Sequence, residues 1–173
     1  MTRACVTHEA IEPVFDADSR VLLLGTMPSP RSRAERFYYA HPQNRMWRVL
    51  AAVFESPLPV TVEEKKQFLL SHRIAMWDVL ASCEIEGASD TSIRNPVPND
   101  LDRIFSVAAI SVVFTAGGTA HRLLKKLTGR DSVRLPSTSP ANCAMPTESL
   151  VEAYRIVARA TEGQTIDEAA VFM

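Results

Sequence analysis

Apolar residues fall into short continuous runs separated by longer amphipathic stretches. Four runs have the length of strands: Arg20 to Leu24, Ile74 to Val79, Ile110 to Phe114 and the shorter Val133 to Leu135. Their continuity predicts strands covered on both faces, because a strand open to water on one side would place a polar residue at every second position. Helical spacing between the runs predicts helices over about Asn44 to Phe54, Val62 to Ser71, Asn99 to Phe105, Thr119 to Leu127 and Thr147 to Ala160. Start signals support three of them: Asn99-Asp100 after Pro98, Gly117-Gly118-Thr119, and Pro146-Thr147-Glu148. Strands alternating with helices predict an α/β fold built on a parallel sheet. Pro57 and Pro59 read as a loop between helices, and with no repeat or Gly/Ser-rich linker, residues 1–173 read as one domain.

Composition narrows the class. A chain of 173 residues that is 46% hydrophobic and 23% charged can bury a sizeable core, which excludes disorder and collagen-like repetition. The net charge of −1 argues mildly against a polyanionic partner until it is counted by segment. Residues 31–48 carry Arg31, Arg33, Arg36, Arg45 and Arg48 against Glu35 alone, residues 121–134 are also cationic, and residues 147–168 are acidic. Cys5, Cys83 and Cys143 form no CxxC pair and no metal-ligand spacing with the histidines, so a disulfide framework, zinc site or iron–sulfur cluster is not expected. The N-terminal stretch reaches Glu9 and Glu12 before any long apolar run, and no later run could span a bilayer. These features predict a cytoplasmic protein with no membrane partner.

In an open parallel sheet, the loops at the carboxyl ends of the strands build the ligand site. The first, Gly25-Thr-Met-Pro-Ser-Pro-Arg31, is a stiff turn that either ends a strand or brings backbone N–H groups to a ligand. It matches neither a dinucleotide fingerprint nor a phosphate loop. The following stretch interleaves Phe37, Tyr38, Tyr39, His41, Asn44 and Trp47 with arginines, offering stacking faces for bases and guanidinium groups for phosphates. The competing reading places Tyr39, Trp47 and Leu50 in the core, which suits Trp47 because Met46 and Val49 share its helix. Asp78, at a strand end, either recognises a ligand N–H or caps the next segment. The last loop, Leu135-Pro-Ser-Thr-Ser-Pro-Ala-Asn142, is either a capped turn or a set of preorganised donors for an anion. His41 and Cys143 lack a cysteine-protease signature, and Ser29 lies outside any G-x-S-x-G elbow.

Together the segments 22–29, 38–50, 76–80, 89–93 with Asn99-Asp100, and 135–142 resemble the uracil-DNA glycosylase superfamily, most closely its hypoxanthine-DNA glycosylase branch. The resemblance implies a three-layer α/β sandwich with a central four-stranded parallel sheet flanked by helices. It implies a monomeric, monofunctional glycosylase that takes DNA containing deaminated bases, flips the damaged nucleotide, and hydrolyses its N-glycosidic bond without metal or cofactor. Hypoxanthine is the expected base and uracil a second one. The commoner motif has Asp or Asn where Met27 stands, and a thioether cannot orient water, so the catalytic role passes by resemblance to Asn44. An amide keeps one protonation state, which predicts weak pH dependence near neutrality.

Leu135 replaces a His or Asn of many relatives, which moves leaving-group stabilisation to Ser137, Thr138, Ser139 and Asn142. The base pocket is expected from Gly25, Met27, Pro28, Ser29, Phe37, Tyr38 and Asp78, with Phe37 or Tyr38 as the stacking face and Asp78 accepting the N1–H of hypoxanthine. Arg31, Arg45 and Lys125 are candidate DNA contacts, and Met27 or Met145 a candidate wedge. No lysine sits in a motif where it could form a Schiff base. Two other readings differ in class: a damaged-DNA-binding module without catalysis, and a nucleoside hydrolase, for which the five arginines of residues 31–48 would find no phosphates.

Overall fold

The computed structural model describes residues 2–8 and 11–167. Glu9 and the end of the acidic stretch at Glu168 lie outside the described residues. The chain runs β1 (Ala4–Thr7), β2 (Val21–Gly25), α1 (Pro30–Glu35), α2 (Met46–Val53), α3 (Val62–Ser71), β3 (Ile74–Asp78), β4 (Leu80–Ile85), β5 (Arg94–Pro98), α4 (Asp102–Phe105), β6 (Val112–Ala116), α5 (Gly118–Thr128), β7 (Val133–Leu135) and α6 (Thr147–Thr161). The four apolar runs of the sequence become a parallel sheet in the order β3-β2-β6-β7. Every residue of β2 and β3 is buried, as their unbroken hydrophobicity predicts for strands covered on both faces.

The covering helices follow their sequence signals. α3 starts in a capping box, with Thr61 accepting from the Glu64 N–H while the Glu64 carboxylate accepts from the Thr61 N–H. α6 buries Leu150, Tyr154 and Val157, spaced four and three apart, so one stripe faces inward and packs on α2 and β2. α5 lies against β6 and β7 and ends at Gly129, whose φ of +73° is the left-handed stop that glycine allows. Trp47 is buried, stacks on Phe37 with ring centroids 6.0 Å apart, and donates its indole N–H to the Tyr38 carbonyl. It is a core residue.

Three features depart from the sequence expectation. A second sheet, antiparallel and ordered β1-β4-β5, accompanies the parallel one. β3 passes into β4 through the single residue Val79, so the two sheets share a joint. The helix expected from Asn99 is only α4, and Asn99 is no cap: its side-chain amide donates to the carbonyls of Asp78 and Leu80 and its N–H to that of Val79, clasping the joint. The short α1, not anticipated, starts where Ser29 accepts from the Ser32 N–H with Pro30 in the first turn.

Cys5, Cys83 and Cys143 are free thiols. Among the described residues no group of three or more His, Cys, Asp or Glu is placed to hold a metal, and no helix is long and apolar enough to cross a membrane.

Candidate active-site cleft

The carboxyl ends of the parallel strands open into a cleft of about 850 Å³. It brings together Gly25, Met27, Pro28, Ser29, Tyr38, Asn44, Asp78, Ser137, Thr138, Ser139 and Asn142, which the sequence nominates from four separate segments. Phe37, Arg31, Arg45 and Lys125 do not line it.

Asp78, the last residue of β3, is buried in the cleft floor. Its Oδ2 lies 2.6 Å from His8 Nε2, and His8 Nδ1 lies 3.0 Å from the Ile11 carbonyl. Since a carbonyl only accepts, Nδ1 carries a hydrogen. Burial works against charge on the imidazole, yet the hydrogen bond and charge of Asp78, with backbone hydrogen bonds, raise its pKa above the ordinary value. The carboxylate does not cap the following segment. Gly25 faces it across the β2–β3 pairing, and a Cβ at Gly25 would overlap Asp78 Oδ1 and come within 2.9 Å of Tyr39 Oη. Only glycine admits this approach.

Tyr39 supplies the aromatic wall. It adopts a left-handed backbone with φ of 51°, and its half-buried ring lines the cleft, as the fully buried Tyr38 also does and Phe37 does not. Its Oη is buried and has no hydrogen-bond partner among the described residues. Burial, reinforced by the Asp78 charge, pushes this phenol well above its ordinary pKa, so it stays a neutral donor. Phe37 and Tyr38, the faces expected from sequence, are committed elsewhere. Phe37 is buried against Trp47, and Tyr38 Oη donates to the Glu12 carbonyl at 2.9 Å.

Asn44 sits just before α2. Its Oδ1 accepts from the Met46 N–H and from the Thr138 hydroxyl, each at 2.9 Å, and its Nδ2 has no partner among the described residues. Arg45 extends the same seam: its N–H donates to the Thr138 carbonyl at 3.1 Å, and its guanidinium donates to the carbonyls of Met145 at 2.6 Å and Asn142 at 2.8 Å. The expected DNA contact is therefore a brace for the last loop. Within that loop Ser137 Oγ accepts from the Ser139 N–H, Ser139 Oγ from the Ala141 N–H, and Asn142 Nδ2 donates to the Ser137 carbonyl. Much of its hydrogen-bonding capacity shapes the turn.

Arg31 pairs with Glu35 on the exposed face of α1. Lys125 pairs with Asp131 beyond the far end of α5, whose first residue, Gly118, is the one at the cleft. The cation at the cleft is Arg134, whose guanidinium lies over Gly118. Asp90 also lines the cleft and accepts from Thr26 Oγ1 at 3.2 Å; burial raises its carboxyl above the ordinary value against the pull of that hydrogen bond. His8, Tyr39, Asp90 and Arg134 escaped the reading of the sequence as site residues. Asp90 does belong to the Ser89–Ile93 segment, whereas nothing local to His8 signals a role.

The chain resembles known proteins in sequence and in fold. The chain matches the Uracil DNA glycosylase superfamily over residues 12–158. It is 31% identical to a hypoxanthine DNA glycosylase of Methanosarcina acetivorans over 134 residues, 75% of this chain and 84% of that protein. A hypoxanthine DNA glycosylase of Methanosarcina barkeri is 29% identical over 139 residues, 78% of this chain and 87% of the relative. In structure the chain resembles the solution NMR structure of a candidate uracil DNA glycosylase from M. acetivorans, with a TM-score of 0.74, 26% identity, and coverage of 88% of this chain and 96% of that one.

Proposed function

Because the chain belongs to the uracil DNA glycosylase superfamily, we propose that it excises deaminated bases from DNA, hypoxanthine foremost and uracil second, as a monofunctional glycosylase. The observation that carries the base choice is the Asp78 carboxylate in the cleft floor, backed by His8 and uncovered toward the ligand by Gly25. Deamination turns the ring nitrogen of adenine or cytosine from an acceptor into an N–H donor, and a carboxylate accepts only from the product. The names of the two Methanosarcina relatives support hypoxanthine.

In this reading the damaged nucleotide leaves the duplex and its base enters the cleft, stacking on Tyr39. Cleavage gives the sugar oxocarbenium character and moves negative charge onto the base, so the protein must hold a water beneath the sugar and stabilise the departing anion. Asn44 does the first. The Met46 N–H fixes its amide plane, and the Thr138 hydroxyl, free to rotate, releases a lone pair of Oδ1 to a water proton. The hydroxyl hydrogens of Ser137 and Ser139, whose oxygens accept within the loop, are donors at hand for the departing base.

The test uses end-labelled oligonucleotides containing one hypoxanthine or one uracil, incubated with the protein and then treated with alkali. Strand cleavage at hypoxanthine, exceeding that at uracil, is expected. Binding to either strand without cleavage would replace the enzyme by the binding module.

A further inference from the structure

We propose that His8 is a positioning residue for base selection: by donating to Asp78 Oδ2 it holds that carboxylate as an acceptor only, and so limits the cleft to bases with a ring N–H at the edge Asp78 reads. This rests on the proposed reading of Asp78.

His8 stands behind the cleft floor, outside the cleft itself. β1 pairs with β4, and the His8 N–H continues the pairing to the Ala81 carbonyl at 2.7 Å, which lays the imidazole against the back of Asp78. Both partners are buried, with side-chain exposures of 3% and 5%. Nδ1 is spent on the Ile11 carbonyl in either protonation state, so only Nε2 can change. At 2.6 Å from a carboxylate oxygen a bare Nε2 lone pair would be repelled, so a proton lies between the two.

The surroundings decide which partner owns it. Tyr38 and Trp77 flank the imidazole with their rings, the exposed Glu12–Arg103 pair neutralises itself on the outer side, and the Tyr39 phenol and Asp90 carboxyl lie on the cleft side of Asp78. No second donor to Asp78 Oδ2 occurs among the described residues. With the proton on His8 the pair is imidazolium and carboxylate, and Oδ1 faces the cleft with lone pairs only.

The selective consequence is chemical. Adenine N1 and cytosine N3 carry lone pairs that a carboxylate repels, whereas hypoxanthine N1 and uracil N3 carry hydrogens that it accepts. An Asp78 protonated on Oδ1 would invert this readout and favour adenine and cytosine. His8 therefore sets the sense in which the floor reads, without touching the base.

The experiment follows the side-chain carboxyl carbon of Asp78 by NMR across pH in the wild type, His8→Gln and His8→Leu, with Asp78→Asn assigning the signal. The same proteins are assayed for hypoxanthine release across pH. Removing the imidazolium takes a charge and a donor away from Asp78, so its carboxyl signal should follow pH differently from the wild type. The acid limb of kcat/KM should move with it in His8→Leu, and by less in His8→Gln, which keeps a neutral donor, while rates recover on the alkaline side. A merely structural role would lower activity at every pH and leave the carboxyl where it was. Coincident Asp78 titrations in wild type and variants overturn the proposal. If His8→Leu does not fold, His8→Gln carries the same comparison. The titration decides the role of His8 even for a wild type that releases no base, a result that would count against the functional reading alone.

Discussion

Asn44 Oδ1 lies 2.9 Å from the hydroxyl of Thr138, a residue 94 positions later in the chain, and this bond joins the segment between α1 and α2 to the loop after β7 in one wall of the cleft. If the wall holds the water, its two members should differ in kind. Asn44→Ala removes the acceptor and should lower kcat by ~100-fold or more, the equivalent of ~3–4 kcal/mol of transition-state stabilisation. Thr138→Val keeps the shape, leaves that lone pair of Oδ1 open to the water and removes only the hydroxyl that steadies the resting amide, so single-turnover rates should fall by no more than about 10-fold with KM little changed. Equal effects of the two would point to packing instead of water placement.

Gly25→Ala should abolish the approach of Tyr39 and Asp78. The new methyl overlaps the carboxylate, so one of them must shift, at a cost of about 1–3 kcal/mol. Circular dichroism should report a folded protein, and the excision assay a loss of at least ~10-fold dominated by KM, because the base reader is displaced and the water holder is not.

Arg45 and Lys125 separate a brace from a surface charge. Arg45→Met strands two carbonyls that now accept from the guanidinium, and should destabilise by about 1–3 kcal/mol, seen as a melting temperature lower by roughly 2–4 °C per kcal/mol. Lys125→Ala breaks an exposed, solvent-screened pair with Asp131 and should leave both the melting temperature and excision of hypoxanthine unchanged.

The His8–Asp78 pair ties stability to pH. The folded His8 pKa is raised above 6.5, so the pair contributes fully below that value and its contribution is lost as pH rises through the folded pKa. Urea midpoints of the wild type should therefore drop as the pH is raised from below 6.5 through the folded pKa, and the drop should shrink in His8→Gln, which has no proton to lose. A parallel decline in the two proteins would assign the pH dependence to other groups.

How far the sequence discloses this molecule depends on how local each signal is. The parallel strands are legible because burial on both faces demands unbroken apolar runs, and α3 carries its capping box in plain view. The antiparallel sheet is not, since β1 and β5 bury few of their side chains and β5 contains Pro96 and Pro98. In the cleft, Asn44, Asp78 and the 136–142 loop sit in motifs, whereas the aromatic wall turns on backbone geometry: Phe37, Tyr38 and Tyr39 are adjacent aromatics, and the positive φ that sets Tyr39 apart from the other two has no signature in the residue types. His8 lies 70 positions from its partner and belongs to no motif.

The joint at Val79 has a consequence for how the floor breathes. Its N–H donates to the Gly25 carbonyl at 2.8 Å, the Leu80 N–H to that of Thr26, and its own carbonyl accepts from Asn99, so both sheets and the first loop grip the residue next to Asp78. Segments with such bonding open only in the largest cooperative unit, and the amide protons of Val79 and Leu80 should exchange with solvent no faster than the whole domain unfolds. Asp78 thus sits beside a firmly bonded joint, and under the proposed reading of Asp78 an ill-matched base would gain no entry through a local fluctuation of the floor beneath it.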